Sequence, residues 1–148
     1  MPRPRGGEWL EDEIRGLRDD GVHTLISMLT AEEEEYLDPT QEGSTARRHG
    51  LRYVSHPILD RGIPETPGPT WTLARELRAE FDAGKTLVAH CRMGIGRSPL
   101  ILAAIMVCGG TEPDAAWGRI GAARGCIVPD TWEQRDWLLQ TGPPPPSP

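Results

Sequence analysis

One stretch limits the folds open to this chain more than any other. A short apolar run, Thr86-Leu87-Val88-Ala89, leads into His90-Cys91-Arg92-Met93-Gly94-Ile95-Gly96-Arg97-Ser98. Pro99 and an unbroken apolar run from Leu100 to Cys108 follow. The first run is short enough to be a buried strand. The second is apolar all round, which places it in a core as a helix, and Pro99 stands where a first helical turn tolerates proline. A strand joined to a buried helix by a glycine-containing loop is a building unit of α/β folds, in which helices pack on a parallel sheet.

Outward from that unit, helical and extended patterns alternate. Leu10, Ile14 and Leu17 predict a helix over 9–19, closed by Gly21. Val22 to Leu29 predicts a strand around Leu25-Ile26. Thr30 with Glu33 fits a capping box, so the glutamates at 32–35 open a short helix with a solvated acidic start. The polar stretch 38–50, with Pro39 and Gly43 as breakers, has room for one irregular helix. Leu51 to Ile58 predicts a second strand, broken by Pro57, and a loop runs on to Pro69. Trp71, Ala74, Leu77 and Phe81 predict a helix ended by Gly84, and 85–89 the third strand. Gly109-Gly110 stops the apolar helix, and a further helix is expected from Thr111 to about Ala123. Asp130 or Thr131 then caps a last helix carrying Trp132, Trp137 and Leu138.

The expected class is therefore α/β, with a central, mainly parallel, twisted sheet flanked by helices. The 148 residues suit one domain, expected over 9–140. A flexible lead-in is expected at 1–8 and a disordered Pro-rich tail at 141–148. A domain of this size buries about 68–70% of its unfolded surface, so it needs no disulfide or metal to fold.

Net charge is −6, unevenly spread: residues 1–84 carry 10 Lys+Arg against 17 Asp+Glu. The acidic part is expected to lie away from the Cys91 loop, and no basic run suggests nucleic acid. The three cysteines, at 91, 108 and 126, show no metal-ligand spacing. No apolar run is long enough to cross a membrane, and no signal segment follows Met1. We expect a cytoplasmic, monomeric protein without metal or cofactor, in a compartment that keeps a reactive thiol reduced.

The chemistry starts at the loop. Backbone N–H groups ahead of a helix converge on anions, and the helix dipole favours negative charge. The same field makes Cys91 a thiolate nucleophile. The amides of Arg92, Met93, Gly94, Ile95, Gly96 and Arg97 are the candidate phosphate cradle, with Gly94 and Gly96 free to turn inward. The Arg97 guanidinium can grip two phosphate oxygens. His90 is expected to order the loop by a hydrogen bond. Ser98 is either a helix N-cap or a donor that stabilises the sulfur as a leaving group. A two-step displacement also needs a proton donor, and Asp60, in Pro57-Ile58-Leu59-Asp60-Arg61-Gly62-Ile63-Pro64, is the candidate.

His90-Cys91-x-x-Gly94-x-x-Arg97-Ser98 resembles the signature of the cysteine-dependent protein tyrosine phosphatases. The Pro-Ile-x-Asp-x-Gly-x-Pro segment from Pro57 to Pro64 is similar to the acid loop of their compact dual-specificity members, especially the kinase-associated (cyclin-dependent kinase inhibitor 3-like) type. The resemblance covers most of 9–140. It implies a phosphatase for phosphotyrosine, and for phosphoserine/threonine, on protein substrates. Cys91 would form a phosphocysteine, Arg97 bind the phosphoryl group, Asp60 act as acid and then base, and Ser98 assist thiolate departure. Gln134 falls where related enzymes can orient the hydrolytic water, although Thr131-x-x-Gln134 is itself a capping box. The family's extra strand before the first helix is expected to be missing, and Pro99 stands where a small residue is common. Arg92 keeps a phosphoinositide phosphatase open as an alternative. A rhodanese-type sulfurtransferase and a non-catalytic phosphopeptide-binding module are the others. Cys108 and Cys126 are expected as a helix and a loop cysteine, with a protective disulfide to Cys91 as the lesser reading.

Overall fold

The structure is a computed structural model that describes residues 1–37 and 41–143. Of the tail expected at 141–148, residues 144–148 lie outside the described residues, as do 38–40 of the polar stretch. A 3-10 turn, Gly7–Trp9, leads into α1 (Leu10–Asp19). There follow β1 (Thr24–Ser27), α2 (Ala31–Leu37), α3 (Glu42–Arg48), β2 (Arg52–Ser55), α4 (Pro67–Asp82), β3 (Leu87–His90), α5 (Arg97–Cys108), α6 (Pro113–Arg124) and α7 (Trp132–Thr141). The strands form one parallel sheet in the order β2-β1-β3. Register aligns Ser27 of β1 with Ser55 on one side and His90 on the other. The C-terminal ends of the three strands thus lie side by side, where α/β sheets gather their ligand sites.

β1 is buried along its whole length, as a central strand covered on both faces must be. Its alternate side chains serve two cores. Leu25 packs with Leu10, Ile14, Val22, Ala46 and Leu51 under α1 and α3. Ile26 joins the larger core of Trp71, Leu77, Leu100, Ile101, Trp117, Trp137 and their neighbours, beneath α4 to α7. α5 runs through the middle of that layer, with Leu100, Ile101, Ala103 and Ala104 wholly buried. Each buried Leu or Ile there stabilises the fold by about 1.5–3 kcal/mol. Trp71 and Trp137 stack at 5.4 Å between ring centroids and join α4 to α7.

Four expectations change. α4 begins at Pro67, so the preceding loop is shorter; Pro67 and Pro69 occupy a first turn, whose N–H groups have no helical partner to lose. α5 begins at Arg97 with Gly96 at its N-cap position, so Ser98 lies inside the first turn and is not the cap. The lead-in is held at its start. The Met1 nitrogen donates to Ala89 O at 2.8 Å, Pro2 bridges Cys91, and Arg3 N–H donates to Arg92 O at 3.4 Å. A short remnant of an edge pairing therefore stands where an absent strand was expected. The acidic half of the sequence also does not stay away from the Cys91 loop, because Glu33 and Asp60 pair with Arg97 and Glu42 stands 2.6 Å from His90. Among the described residues no helix is long and apolar enough to cross a membrane.

Candidate active site

The loop from Cys91 to Gly96 turns between β3 and α5 and floors a cleft of about 360 Å³. Asp60, Arg61, Cys91, Arg92, Met93, Ile95, Gly96, Arg97 and Asp130 line it. Gly94 takes φ 74°, a region that favours glycine. A Cβ there would stand 2.5 Å from Met1 C. Cys91 is 3% exposed. Its Sγ accepts from Gly94 N–H at 3.3 Å and lies 3.4 Å from Ser98 Oγ. Burial pushes the thiol up, but the Ser98 hydroxyl and the amides of Ser98, Gly94 and Gly96 outweigh it. The pKa stands below the ordinary cysteine value.

Arg97, 1% exposed, is gripped from several sides. Nη1 donates to Ile58 O at 2.8 Å, to Met28 O at 3.4 Å and to Glu33 Oε2 at 2.6 Å. Nη2 donates to Glu33 Oε1 at 2.8 Å and to Asp60 Oδ1 at 3.0 Å. Burial disfavours its charge, yet the Glu33 carboxylate holds the guanidinium above its ordinary pKa. Burial likewise pushes Glu33 up, and Arg97 with the Thr30 N–H more than reverses it.

Glu33 was missed from sequence, where the 32–35 run reads as a solvated helix start. The expected capping box is present: Thr30 N–H donates to Glu33 Oε2 at 3.0 Å, and Glu33 N–H to Thr30 Oγ1 at 3.3 Å. That box was the available signal, because it fixes one glutamate of the run back over the end of β1.

Asp60 sits on the loop after β2 with about half its side chain exposed. Besides Arg97, its Oδ1 accepts from Arg61 N–H at 3.1 Å. Arg61 has φ 58°, unusual for a residue with a side chain and costing about 1–3 kcal/mol. Its guanidinium pairs with Asp130 Oδ2 at 3.2 Å, across the cleft. Gln134 fills both halves of its capping box with Thr131, and its Nε2 donates to Gly62 O at 3.0 Å. Its amide also packs on Gly96, where a Cβ would stand 3.0 Å from Nε2. Gln134 therefore ties the Asp60 loop to the Cys91 loop.

His90 is wholly buried beneath the loop, with Nε2 2.6 Å from Glu42 Oε1. The loop-ordering hydrogen bond expected of His90 is not formed among the described residues; the ring stands against a buried carboxylate of α3 instead. Arg92 lines the rim. Arg124, expected only as a helix end, donates from Nε to Gly94 O at 3.2 Å. Cys108 is half-buried and Cys126 exposed, and neither lines the cleft.

The sequence profile described as "Tc-R-P: Polymorphic toxin system, DSP-PTPase phosphatase" matches residues 1–111. Cyclin-dependent kinase inhibitor 3 of Rattus norvegicus is 23% identical over 131 residues, which make up 87% of this chain. The chain spans 61% of the length of that curated relative. Among solved structures, kinase associated phosphatase with its catalytic-site cysteine substituted by serine superposes with a TM-score of 0.82 at 19% identity. The match covers 93% of this chain and 81% of the other. Tk-PTP in its active form superposes with a TM-score of 0.73 at 21% identity, covering 95% and 86%.

Proposed function

This chain belongs to the DSP-PTPase phosphatase family of polymorphic toxin systems, within the compact dual-specificity branch of the cysteine phosphatases, and from that premise we propose that it hydrolyses phosphate monoesters on proteins through a phosphocysteine. Phosphotyrosine is the first substrate class, with phosphoserine and phosphothreonine next. The observation that carries the reading is the convergence of Cys91, Arg97 and Asp60 on one cleft, with Ser98 Oγ 3.4 Å from the sulfur, although Asp60 is about thirty residues away from the loop in sequence.

In the proposed cycle the phosphate dianion enters over the loop amides of residues 92–97 and takes the place of Asp60 against Arg97. Arg97 and the amides stabilise the charge that spreads over the equatorial oxygens in the transition state. The Cys91 thiolate attacks phosphorus in line. The P–S bond forms, the bond to the ester oxygen breaks, and Asp60 gives that oxygen its proton. Asp60, now ionised, takes a proton from water as the water attacks the phosphocysteine. The sulfur leaves as a thiolate supported by the Ser98 hydroxyl, and phosphate is released. Gln134, held by Thr131 and Gly62, keeps the acid loop over the sulfur. The hydrolytic water would approach along the same wall. Glu33 keeps Arg97 charged and aimed. A free Cys91 thiolate requires a reducing compartment, which fits the cytoplasm.

The test is hydrolysis of an aryl phosphate at pH 5–7 without added metal, with vanadate as inhibitor. Turnover that vanadate blocks is expected. Absence of turnover by the intact chain would overturn the reading.

A further inference from the structure

A second hollow adjoins the cleft, and the proposed cycle makes no use of it. Asp130 lines both. The hollow measures about 210 Å³ and has its apolar walls in Ile127, Val128, Pro129 and Trp132. It lies between the end of α6 and the start of α7, where Thr131 caps α7 and Trp132 is the first helical residue. Ile127 is 91% exposed and Trp132 76%. One large apolar side chain in water needs no explanation, but here two of them flank a single concavity beside the candidate reacting groups. Met93, on the Cys91 loop, is also exposed and lines the cleft itself. Apolar side chains thus stand in water both at the lip of the cleft and in the hollow next to it, a grouping that marks a binding surface.

Size and charge select what fits. A cavity of about 150 Å³ already holds benzene, so this hollow takes one side chain of the size of leucine or phenylalanine. Arg135, the one cation lining it among the described residues, is paired with Asp114. Nearby, Arg61 pairs with Asp130, and Arg124 donates to the carbonyls of Gly94 and Met93. Glu133 and Asp136 follow Trp132 in α7. An acidic side chain or an anionic lipid surface would meet engaged arginines and further carboxylates there. An apolar side chain gains by leaving water for such walls. A chain anchored in the cleft by its phosphate also reaches the hollow quickly. The two concavities share Asp130, and an extended backbone advances about 3.3 Å per residue.

We propose that the hollow is a specificity subsite for the substrate peptide. With a phosphotyrosine in the cleft, a large apolar side chain within about three residues of it seats against Trp132 and Ile127. The inference rests on the phosphatase reading of the cleft and adds a sequence preference to it. Trp132 and Ile127 contact the flanking side chain, not the reacting atoms.

The test is binding of short peptides to the full wild-type chain, read by fluorescence anisotropy. Each peptide is centred on difluorophosphonomethyl phenylalanine, a phosphotyrosine mimic that cannot be hydrolysed, with alanine, leucine or glutamate at each flanking position in turn. Binding needs no turnover. If aryl phosphate is not hydrolysed, the proposed function falls while the subsite is still decided. Leucine at one or two positions should tighten binding by about five- to tenfold over alanine, and glutamate should not. Trp132→Ser and Ile127→Ser should each remove most of that gain. Tyr36→Ser, which removes an exposed aromatic that does not line the hollow, should keep it. Equal affinity for leucine and alanine at every position, a leucine preference that survives both variants, or no binding of any peptide would overturn the proposal. Two further results would overturn it by giving the hollow another occupant. One is wild-type binding to phosphatidylcholine vesicles carrying phosphatidylinositol phosphate that Trp132→Ser abolishes, without a leucine preference. The other is a dimer in sedimentation that Trp132→Ser disperses.

Discussion

The two loops that form the cleft are built in opposite ways. The Cys91 loop is made by its own backbone: Gly94 turns it, its amide and the Ser98 hydroxyl reach the sulfur, and α5 begins within it. The Asp60 loop is held by side chains from elsewhere. Arg97 takes the carboxylate, Asp130 takes Arg61, and Gln134 takes the carbonyl of Gly62. A loop fixed by backbone loses its chemistry only when an atom of the chemistry is removed. A loop latched by distant side chains can lose geometry while every reacting atom remains.

Substitutions can test that contrast, beginning with the largest expected effect. Cys91→Ser should lower kcat by on the order of 10⁴-fold or more, while vanadate binding, measured by calorimetry, persists because the amides and Arg97 remain. Loss of binding together with turnover would mean that the loop depends on the sulfur for its shape. Asp60→Ala should cost about 10²–10⁴-fold in kcat for an alkyl phosphate, which needs the acid, and far less for an aryl phosphate with a good leaving group. Equal losses on both would remove Asp60 from the acid role.

Glu33→Gln comes next. It removes one charge and leaves Arg97 buried with a weaker partner, so stability should fall by about 1.5–3 kcal/mol in urea titration. It should also change the pH dependence of stability. Glu33 has a depressed pKa in the folded protein, so its contribution is complete above the ordinary value of 4.5 and is lost as pH falls through the lowered folded value. A plot of Tm against pH should therefore be flatter below about 4.5 in the variant. An unchanged slope would show that Arg97 does not need this partner. Asp130→Ala is the mildest case. It frees Arg61 and should reduce kcat by about tenfold or less, with Cys91 alkylation unaffected. If alkylation changed as well, the Arg61–Asp130 latch would also be shaping the Cys91 loop.

The activity profile follows the same physics. The lowered pKa of Cys91 extends thiolate chemistry toward acid. The cycle needs a thiolate and a protonated acid together, so the rate should pass through a maximum below neutrality and fall on its acid side when the thiolate is protonated. Kinetics on an aryl phosphate across pH 4–8 would show the acid limb, and Ser98→Ala should move that limb upward, since the Ser98 hydroxyl is the leading hydrogen bond that lowers the thiol.

Much of this architecture was legible because it is local. The strand–loop–helix unit shows itself in Thr86 to Cys108, where periodicity, two glycines and a proline lie within one short segment. The capping boxes at Thr30–Glu33 and Thr131–Gln134 span three residues each, and both form. What the sequence hid was the second use of those residues. Glu33 completes a cap and then reaches Arg97. Gln134 completes a cap and then holds Gly62. Ser98 lies one residue inside the helix rather than at its cap, because where a helix starts is settled by how the loop closes before it.

The sequence by itself determined the α/β class and marked a candidate nucleophile, phosphate cradle and acid loop, since each is written in neighbouring residues whose spacing meets a steric or electrostatic need. Tertiary structure alone decided what surrounds them: Glu33 on Arg97, Glu42 beneath His90, Asp130 on Arg61, and the first residues along the Cys91 loop. These partners join distant parts of the chain through a three-stranded sheet whose ends meet. A carboxylate's worth depends on burial and on the charge across from it, and neither exists until the sheet forms.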